Sequence, residues 1–187
     1  MGIFDNLKKN VENGLNKAFS TDVKKETFTF NALPESVDEM KAMPEASLDT
    51  PFKSAALTVC ALCAYAAAPE IGIEMLDFLR GPRPLSGMDK QFLKDRFCDG
   101  KYYVPFSFFA GATPANDYTP SQPFTLTVQS TVHSYEQEGY ATLYVQSGGA
   151  DSLRSITLRK KGDGQWMLWE QYLLSGIREP KSNDPWA

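Results

Sequence analysis

Histidine is nearly absent from this chain of 187 residues, and that scarcity limits the chemistry available to it. The one histidine, His133, lies in a polar stretch between two predicted strands, where histidines are commonly solvated. Catalysis by a serine or cysteine nucleophile generally needs a neighbouring base. We therefore predict no catalytic residue, and the sequence favours a non-enzymatic protein.

Cysteine is also scarce, with three residues at Cys60, Cys63 and Cys98. An odd number in apolar surroundings argues against a disulfide framework and indicates a reducing compartment, which we expect to be the cytoplasm. Cys60 and Cys63 have the CxxC spacing, but they lie inside an apolar helix and not at its N-terminus. A zinc site made with Cys98 and His133 would lack the second close pair of ligands. We therefore predict buried, inert thiols, no metal and no cofactor.

Positive charge is not in excess, because 19 Lys and Arg face 23 Asp and Glu, which gives a formal net charge of −4. Such a chain repels a phosphate backbone unless a local basic patch overcomes the repulsion. The nearest run, Arg159-Lys160-Lys161, stands beside a predicted turn and is typical of a solvated hairpin tip. We therefore predict no nucleic-acid partner.

No apolar run is long enough to suggest a membrane span. The longest uncharged stretch, between Lys53 and Glu70, falls short of the roughly 20 residues that cross a bilayer. It is apolar on nearly all sides, which predicts a buried central helix. The N-terminal residues also lack the order of a secretory signal, since charged residues interrupt every apolar run.

Residues 1–20 are predicted to form an amphipathic helix. Three functions remain open for it: packing on its own domain, association with a protein partner or a second copy, and attachment to a membrane surface. The opposing charges of Asp5 and Glu12 among the lysines weaken the membrane alternative. The apolar face, within residues 2–19, consists of Ile3, Phe4, Leu7, Val11, Leu15, Ala18 and Phe19.

Residues 26–187 are predicted to form a single α+β domain, with helices over 35–99 and strands over 102–175. A short helix is expected to open at Pro34-Glu35-Ser36, and two further helix starts are expected at Thr50 and Ser86, whose side chains suit the N-cap position. The helix after Ser86 is expected to run over 88–98. Its inward residues are predicted to be Met88, Phe92 and Leu93.

The strands are predicted from alternation of polar and apolar residues. Residues 26–30 are expected at the edge of the sheet, and residues 102–109 form an aromatic stretch that Pro105 restricts to an edge or a bulge. Residues 124–129 and 141–146 alternate, and residues 156–159 and 166–169 flank a glycine turn that predicts a hairpin. We predict an antiparallel sheet of about four to six strands with the helices on one face. A plain meander and a curved sheet that resembles the NTF2-like fold both fit.

Three residues are candidates for contacts with a ligand or partner. Asp117 and Tyr118 lie in a proline-rich loop over 111–120 that is long for a connection between strands. The alternative is that Asn116-Asp117 only nucleates turns. Arg83 lies in a segment held extended by flanking prolines.

Five short motifs carry a resemblance that extends over nearly the whole chain. They are Leu33-Pro34-Glu35-Ser36, Leu48-Asp49-Thr50-Pro51-Phe52-Lys53, Gly81-Pro82-Arg83-Pro84-Leu85, Asn116-Asp117-Tyr118-Thr119-Pro120 and Asp184-Pro185-Trp186. Together they resemble a family of short bacterial proteins that is known as a domain of unknown function. The resemblance implies no catalytic residue.

The leading hypothesis is a non-enzymatic interaction or assembly protein of the bacterial cytoplasm that contacts a partner or a second copy through residues 2–19. One alternative is an NTF2-like binder of small molecules, or an enzyme of that architecture. The other alternative is a peripheral membrane protein attached through the N-terminal helix.

Overall fold

The computed structural model describes residues 23–186 and has an α+β fold. The helix predicted over residues 1–20 lies outside the described residues. In the described range, no helix combines the length and the apolar character that crossing a bilayer requires.

Four α-helices, all between the first and second strands, occur within residues 23–186. They are α1 (Val37–Ala42), α2 (Pro51–Ala67), α3 (Pro69–Arg80) and α4 (Gly87–Arg96). The predicted caps at Thr50 and Ser86 are confirmed, because each side chain accepts a hydrogen bond from the backbone amide three residues later, and Ser36 caps α1 in the same way. Local sequence chemistry therefore sets where three of these helices begin.

The described strands form one antiparallel sheet in the order β1-β2-β3-β4-β5. As predicted, the first strand joins its edge. The pairing of β2 with β3 covers only Val128 with Val145 and Gln129 with Tyr144, so these strands diverge. The bounds are β1 (Lys25–Phe30), β2 (Phe124–Gln129), β3 (Tyr140–Val145), β4 (Arg154–Lys160) and β5 (Trp166–Gln171).

The core lies between α2 and the inner face of the sheet. α2 contacts β2, β3, β4 and β5, and its residues are buried on nearly all sides, as the uncharged stretch predicted. The inward strand residues Leu126, Val128, Leu143, Val145, Ile156 and Leu158 are at most 1% exposed. α3 packs closely on α2 at Gly72, where an added Cβ would lie 2.3 Å from the Tyr65 Cα.

The prediction of a strand over residues 102–109 is wrong. This segment forms two short 3-10 helices, Lys101–Tyr103 and Pro105–Phe108. Proline is well suited to the first helical position because it lacks an amide donor, and here Pro105 begins the second turn. Consecutive residues such as Val104 and Pro105 are both buried, so the segment does not present alternate faces.

Two further predictions need correction at α4. The helix ends at Arg96, and Met88 and Phe92 are 85% and 43% exposed, whereas Leu93 is buried as predicted. α4 lies at the periphery, so only one position of its sequence reaches the core. The prediction of buried thiols is also wrong for Cys98, which follows the helix and is exposed; its thiol donates to the Asp95 carbonyl at 2.8 Å.

Candidate functional site

The connection between α3 and α4 forms one side of the candidate site. Gly81 ends α3 with φ of 57°, a left-handed conformation that favours glycine, and its amide bonds the carbonyls of Asp77 and Phe78. The Asp77 carboxylate then accepts the Leu85 amide at 2.7 Å. These bonds fix both ends of the segment that carries Arg83.

A β-bulge at Trp169 forms the other side. In the β4–β5 register, Leu158 pairs with Leu168 and Thr157 pairs with Glu170, so Trp169 is an extra residue without a partner. A bulge of this kind redirects a side chain and bends the strand. The hairpin itself was predicted, but the bulge was not.

Two arginines stack on the Trp169 ring. The guanidinium carbon of Arg83 lies 4.3 Å from the ring centroid, and that of Arg159 lies 4.8 Å from it. Arg159 also lies 5.5 Å from the Tyr140 ring, which meets Trp169 edge to face. Contacts of this type contribute about 0.5–1 kcal/mol each at exposed sites. Their larger effect here is to hold two guanidinium groups in place.

Arg80 supports the site from beneath. It is 7% exposed, its Nε donates to the Arg83 carbonyl at 2.9 Å, and its Nη2 lies 3.5 Å from the Asp89 carboxylate. Burial alone would raise the pKa of Asp89, but hydrogen bonds from Ser86 and the charges of Arg80 and Arg83 outweigh it and lower that pKa. Asp89 therefore stays ionised and pairs with Arg80, while Arg83 and Arg159 form no ion pair with any residue of 23–186.

These residues border an open groove of about 340 Å³, which we call the arginine–tryptophan groove. A smaller pocket of about 150 Å³ shares Arg80, Arg83 and Trp169 and extends towards Phe92 and Tyr172; Asp89 and Glu170 also line it. No carboxylate lines the larger groove among the described residues. Its lining is Arg80, Pro82, Arg83, Arg159, Lys160, Lys161, Gly162, Met167, Leu168 and Trp169.

The groove concentrates positive charge on a protein whose net charge is negative. A planar guanidinium presents a fork of donors that matches a carboxylate or a phosphate, and stacking reduces the freedom lost on binding. The arrangement can therefore bind an anionic group next to an apolar or planar one. Among the described residues that line it, the groove holds no nucleophile with an adjacent base.

Sequence reasoning identified Arg83 but not the residues around it. Lys161 pairs with Asp163 at 2.7 Å, as expected of a hairpin tip. Arg159 was assigned to the same tip, yet it joins Arg83 at Trp169. This contact could not be predicted from the sequence, because no local pattern places Arg159 beside the α3–α4 connection.

The two other candidate residues lie elsewhere and bind the chain to itself. Tyr118 is 2% exposed, stacks on Tyr103 with ring centroids 5.2 Å apart, and donates its hydroxyl to the Arg178 carbonyl at 2.6 Å. Burial raises the pKa of Tyr118. Asp117 is exposed and accepts the Ser182 hydroxyl at 2.6 Å. These contacts connect the loop to the C-terminal segment.

The residues considered for metal or redox chemistry are not brought together. Among residues 23–186 there is no group of three or more histidine, cysteine, aspartate and glutamate side chains that could hold a metal ion. His133 is exposed and contacts Glu136. Burial raises the pKa of both Cys60 and Cys63, so each is held as the thiol.

Fold and groove together define an α+β domain with a basic, aromatic groove. The chain belongs to the family described as a domain of unknown function, DUF6935, whose model matches residues 32–181. This membership confirms the resemblance to such a family, and the match includes every residue of the arginine–tryptophan groove. Comparison with curated proteins gave no match, and neither did comparison with solved structures.

Proposed function

We propose that this protein is a non-enzymatic interaction module that binds an acidic segment of a partner protein in the arginine–tryptophan groove. One observation carries the proposal: Arg83 and Arg159 stack on Trp169 without an ion-pair partner among the described residues. Two positioned guanidinium groups that no carboxylate of residues 23–186 contacts as an ion pair favour an anionic ligand.

The surroundings of the groove favour a peptide over a simple ion. Phe92 and Tyr172, which line the adjoining pocket, are 43% and 57% exposed, and Met88 on the same helix as Phe92 is 85% exposed. Arginine, tryptophan, tyrosine and methionine are enriched at protein interfaces, where a few such residues supply most of the binding energy. A segment that mixes carboxylates with apolar side chains would match both features.

Nucleic acid is the less favourable polyanion. The net charge of −4 opposes the non-specific attraction on which such binding depends. Only five of the 19 Lys and Arg residues line the groove, whereas binding along a nucleic-acid strand uses an extended positive surface. An acidic protein segment is therefore the proposed partner.

The test uses a fluorescein-labelled peptide that alternates glutamate with leucine, titrated with the protein while anisotropy is recorded. Arg83→Met and Arg159→Met should each weaken binding by about tenfold or more, because a hydrogen bond to a charged group contributes about 1.5–3 kcal/mol. Arg178→Met is the matched control, since Arg178 is an exposed arginine paired with Asp151. It should leave the affinity unchanged.

Three outcomes of this titration would contradict the proposal. The first is equal binding by all variants. The second is equal binding of a peptide in which lysine replaces glutamate. The third is tighter binding of single-stranded DNA or of free glutamate than of the peptide, which would favour a nucleic acid or a small molecule as the ligand.

We further propose the bacterial cytoplasm as the location of this interaction. In support, the three cysteines are free thiols, and Cys60 and Cys63 are buried three positions apart on α2. A reducing compartment suits such residues. The NTF2-like and peripheral-membrane alternatives stay predictions.

A further inference from the structure

A second concave surface lies at the C-terminal end of α2. It is an open depression of about 580 Å³ between the turn that follows β1, the last turns of α2 and the start of β2. We call it the apolar depression. Its lining is mainly hydrophobic and includes Leu33, Cys63, Ala67, Ile71, Phe106 and Phe124.

The depression exists because the side of α2 that faces it carries small residues. Ala64 and Ala67 on α2 and Ala68 after it all line the space, whereas the first part of α2 is buried on nearly all sides. Ala67 and Ala68 bring no large side chain to fill it. Concave apolar surfaces of this size are usually covered by another element or a ligand.

The chain itself supplies a segment of suitable chemistry. Residues 2–19 carry apolar side chains at helical spacing, including Phe4 and Leu7, with polar residues such as Asn6 and Asn13 on the other side. An amphipathic helix that lies in an apolar groove is a common mode of recognition.

The length of a helix over residues 2–19 matches the distance from the start of β1 to the apolar depression. Lys24, the second of the described residues, lies beside Phe52 in the first turn of α2, with Nζ 5.0 Å from the ring centroid. The other end of β1 leads to Asn31, at the apolar depression beside the last turn of α2. β1 and its flanking residues span about 25 Å at 3.3 Å per residue. A helix over residues 2–19 would be about 27 Å long at 1.5 Å per residue.

We propose that residues 2–19 dock as a helix in the apolar depression of their own domain, with Phe4 and Leu7 against it. This inference does not depend on the arginine–tryptophan groove. It assigns the N-terminal segment to intrachain packing, one of the functions that its sequence pattern leaves open.

The test measures how quickly maleimide reacts with the thiol introduced by Ala67→Cys. The full chain carries Cys98→Ser to remove the exposed native thiol, while Cys60 and Cys63 are buried. With the native segment, labelling should be at least tenfold slower than with Phe4→Asp and Leu7→Asp combined. Asn6→Asp and Asn13→Asp combined add the same charge on the polar side and should keep the slow rate.

Two results would overturn the proposal. Equal labelling rates in all three proteins would show that the segment does not cover the depression, whatever else occupies it. Protection that disappears when the protein is diluted tenfold would assign the depression to a second copy. Protection that persists on dilution, and that a synthetic peptide of residues 1–20 restores to the Phe4→Asp and Leu7→Asp protein, would support docking within one chain.

Discussion

Arg80→Met tests whether the buried arginine organises the candidate site. The Arg80 side chain is 8% exposed and makes two directed contacts, to the Arg83 carbonyl and to the Asp89 carboxylate. Methionine keeps an unbranched apolar chain in the same space but supplies neither a donor nor a charge. The substitution therefore removes the contacts while it preserves most of the packing.

The expected loss of stability follows from these contacts. Breaking a buried ion pair commonly costs about 3–5 kcal/mol, because the remaining charge is left without a partner. Asp89 is 35% exposed at its side chain and keeps its hydrogen bonds from Ser86, so part of that cost is avoided. We therefore expect a loss of about 2–3 kcal/mol. For a domain of this length the loss corresponds to a fall in Tm of about 4–12 °C.

Urea denaturation followed by circular dichroism measures the free energy of unfolding of Arg80→Met. Arg83→Met is the matched control, because Arg83 is exposed and has no ion pair with the described residues; it should lose less than about 1 kcal/mol. A loss below about 0.5 kcal/mol in Arg80→Met would refute the supporting function of Arg80.

The remaining predictions concern stability. Gly72→Ala should cost about 1–3 kcal/mol in urea denaturation, although alanine is the better helix former, because its Cβ would lie 2.3 Å from the α2 backbone. Tyr118→Phe should cost about 1 kcal/mol by the same assay, since the Arg178 carbonyl loses its donor. Asp89→Asn should destabilise the protein most at neutral pH, where Asp89 is ionised. Because the fold lowers the pKa of Asp89, the stability from its charge is fully present above the pKa of an unfolded aspartate, about 3.9, and is lost as pH falls through the lowered pKa.

Each of these three predictions has a control variant or a result that would contradict it. Gly87→Ala, where an added Cβ meets nothing within 4 Å, should leave the stability unchanged. A loss of stability equal to that of Gly72→Ala would contradict the explanation by close packing at Gly72. A fully stable Tyr118→Phe protein would show that the loop does not depend on the Arg178 bond. A stability difference for Asp89→Asn that is no larger at neutral pH than in strong acid, below the lowered pKa, would contradict this prediction.

Features set by local chemistry were predictable from the sequence. The caps at Thr50 and Ser86 and the glycine turn of the last hairpin depend on residues within one or two turns. The stretch around Pro105 was mispredicted because its aromatic composition is also typical of strands. Packing against α2 decides its conformation, and composition does not report packing.

The candidate site was predictable only in part. Arg83 was identified from its position between prolines, but the groove depends on the register of β4 and β5, which leaves Trp169 as an extra residue. A bulge changes where one side chain points without any change in the local pattern. The fold therefore brings Arg83 and Arg159 to the same tryptophan ring. The residues next to each arginine in the sequence do not predict this contact.

The most direct test of the central claim is a titration followed through the indole N–H signals of the three tryptophans in 15N-labelled protein. When the glutamate–leucine peptide is added, the Trp169 signal should shift in a saturable manner. The Trp186 signal should not move, and Arg83→Met combined with Arg159→Met should abolish the Trp169 shift. A Trp169 signal that stays in place while the peptide binds, or that shifts equally in the double variant, would contradict the assignment of this groove as the binding site.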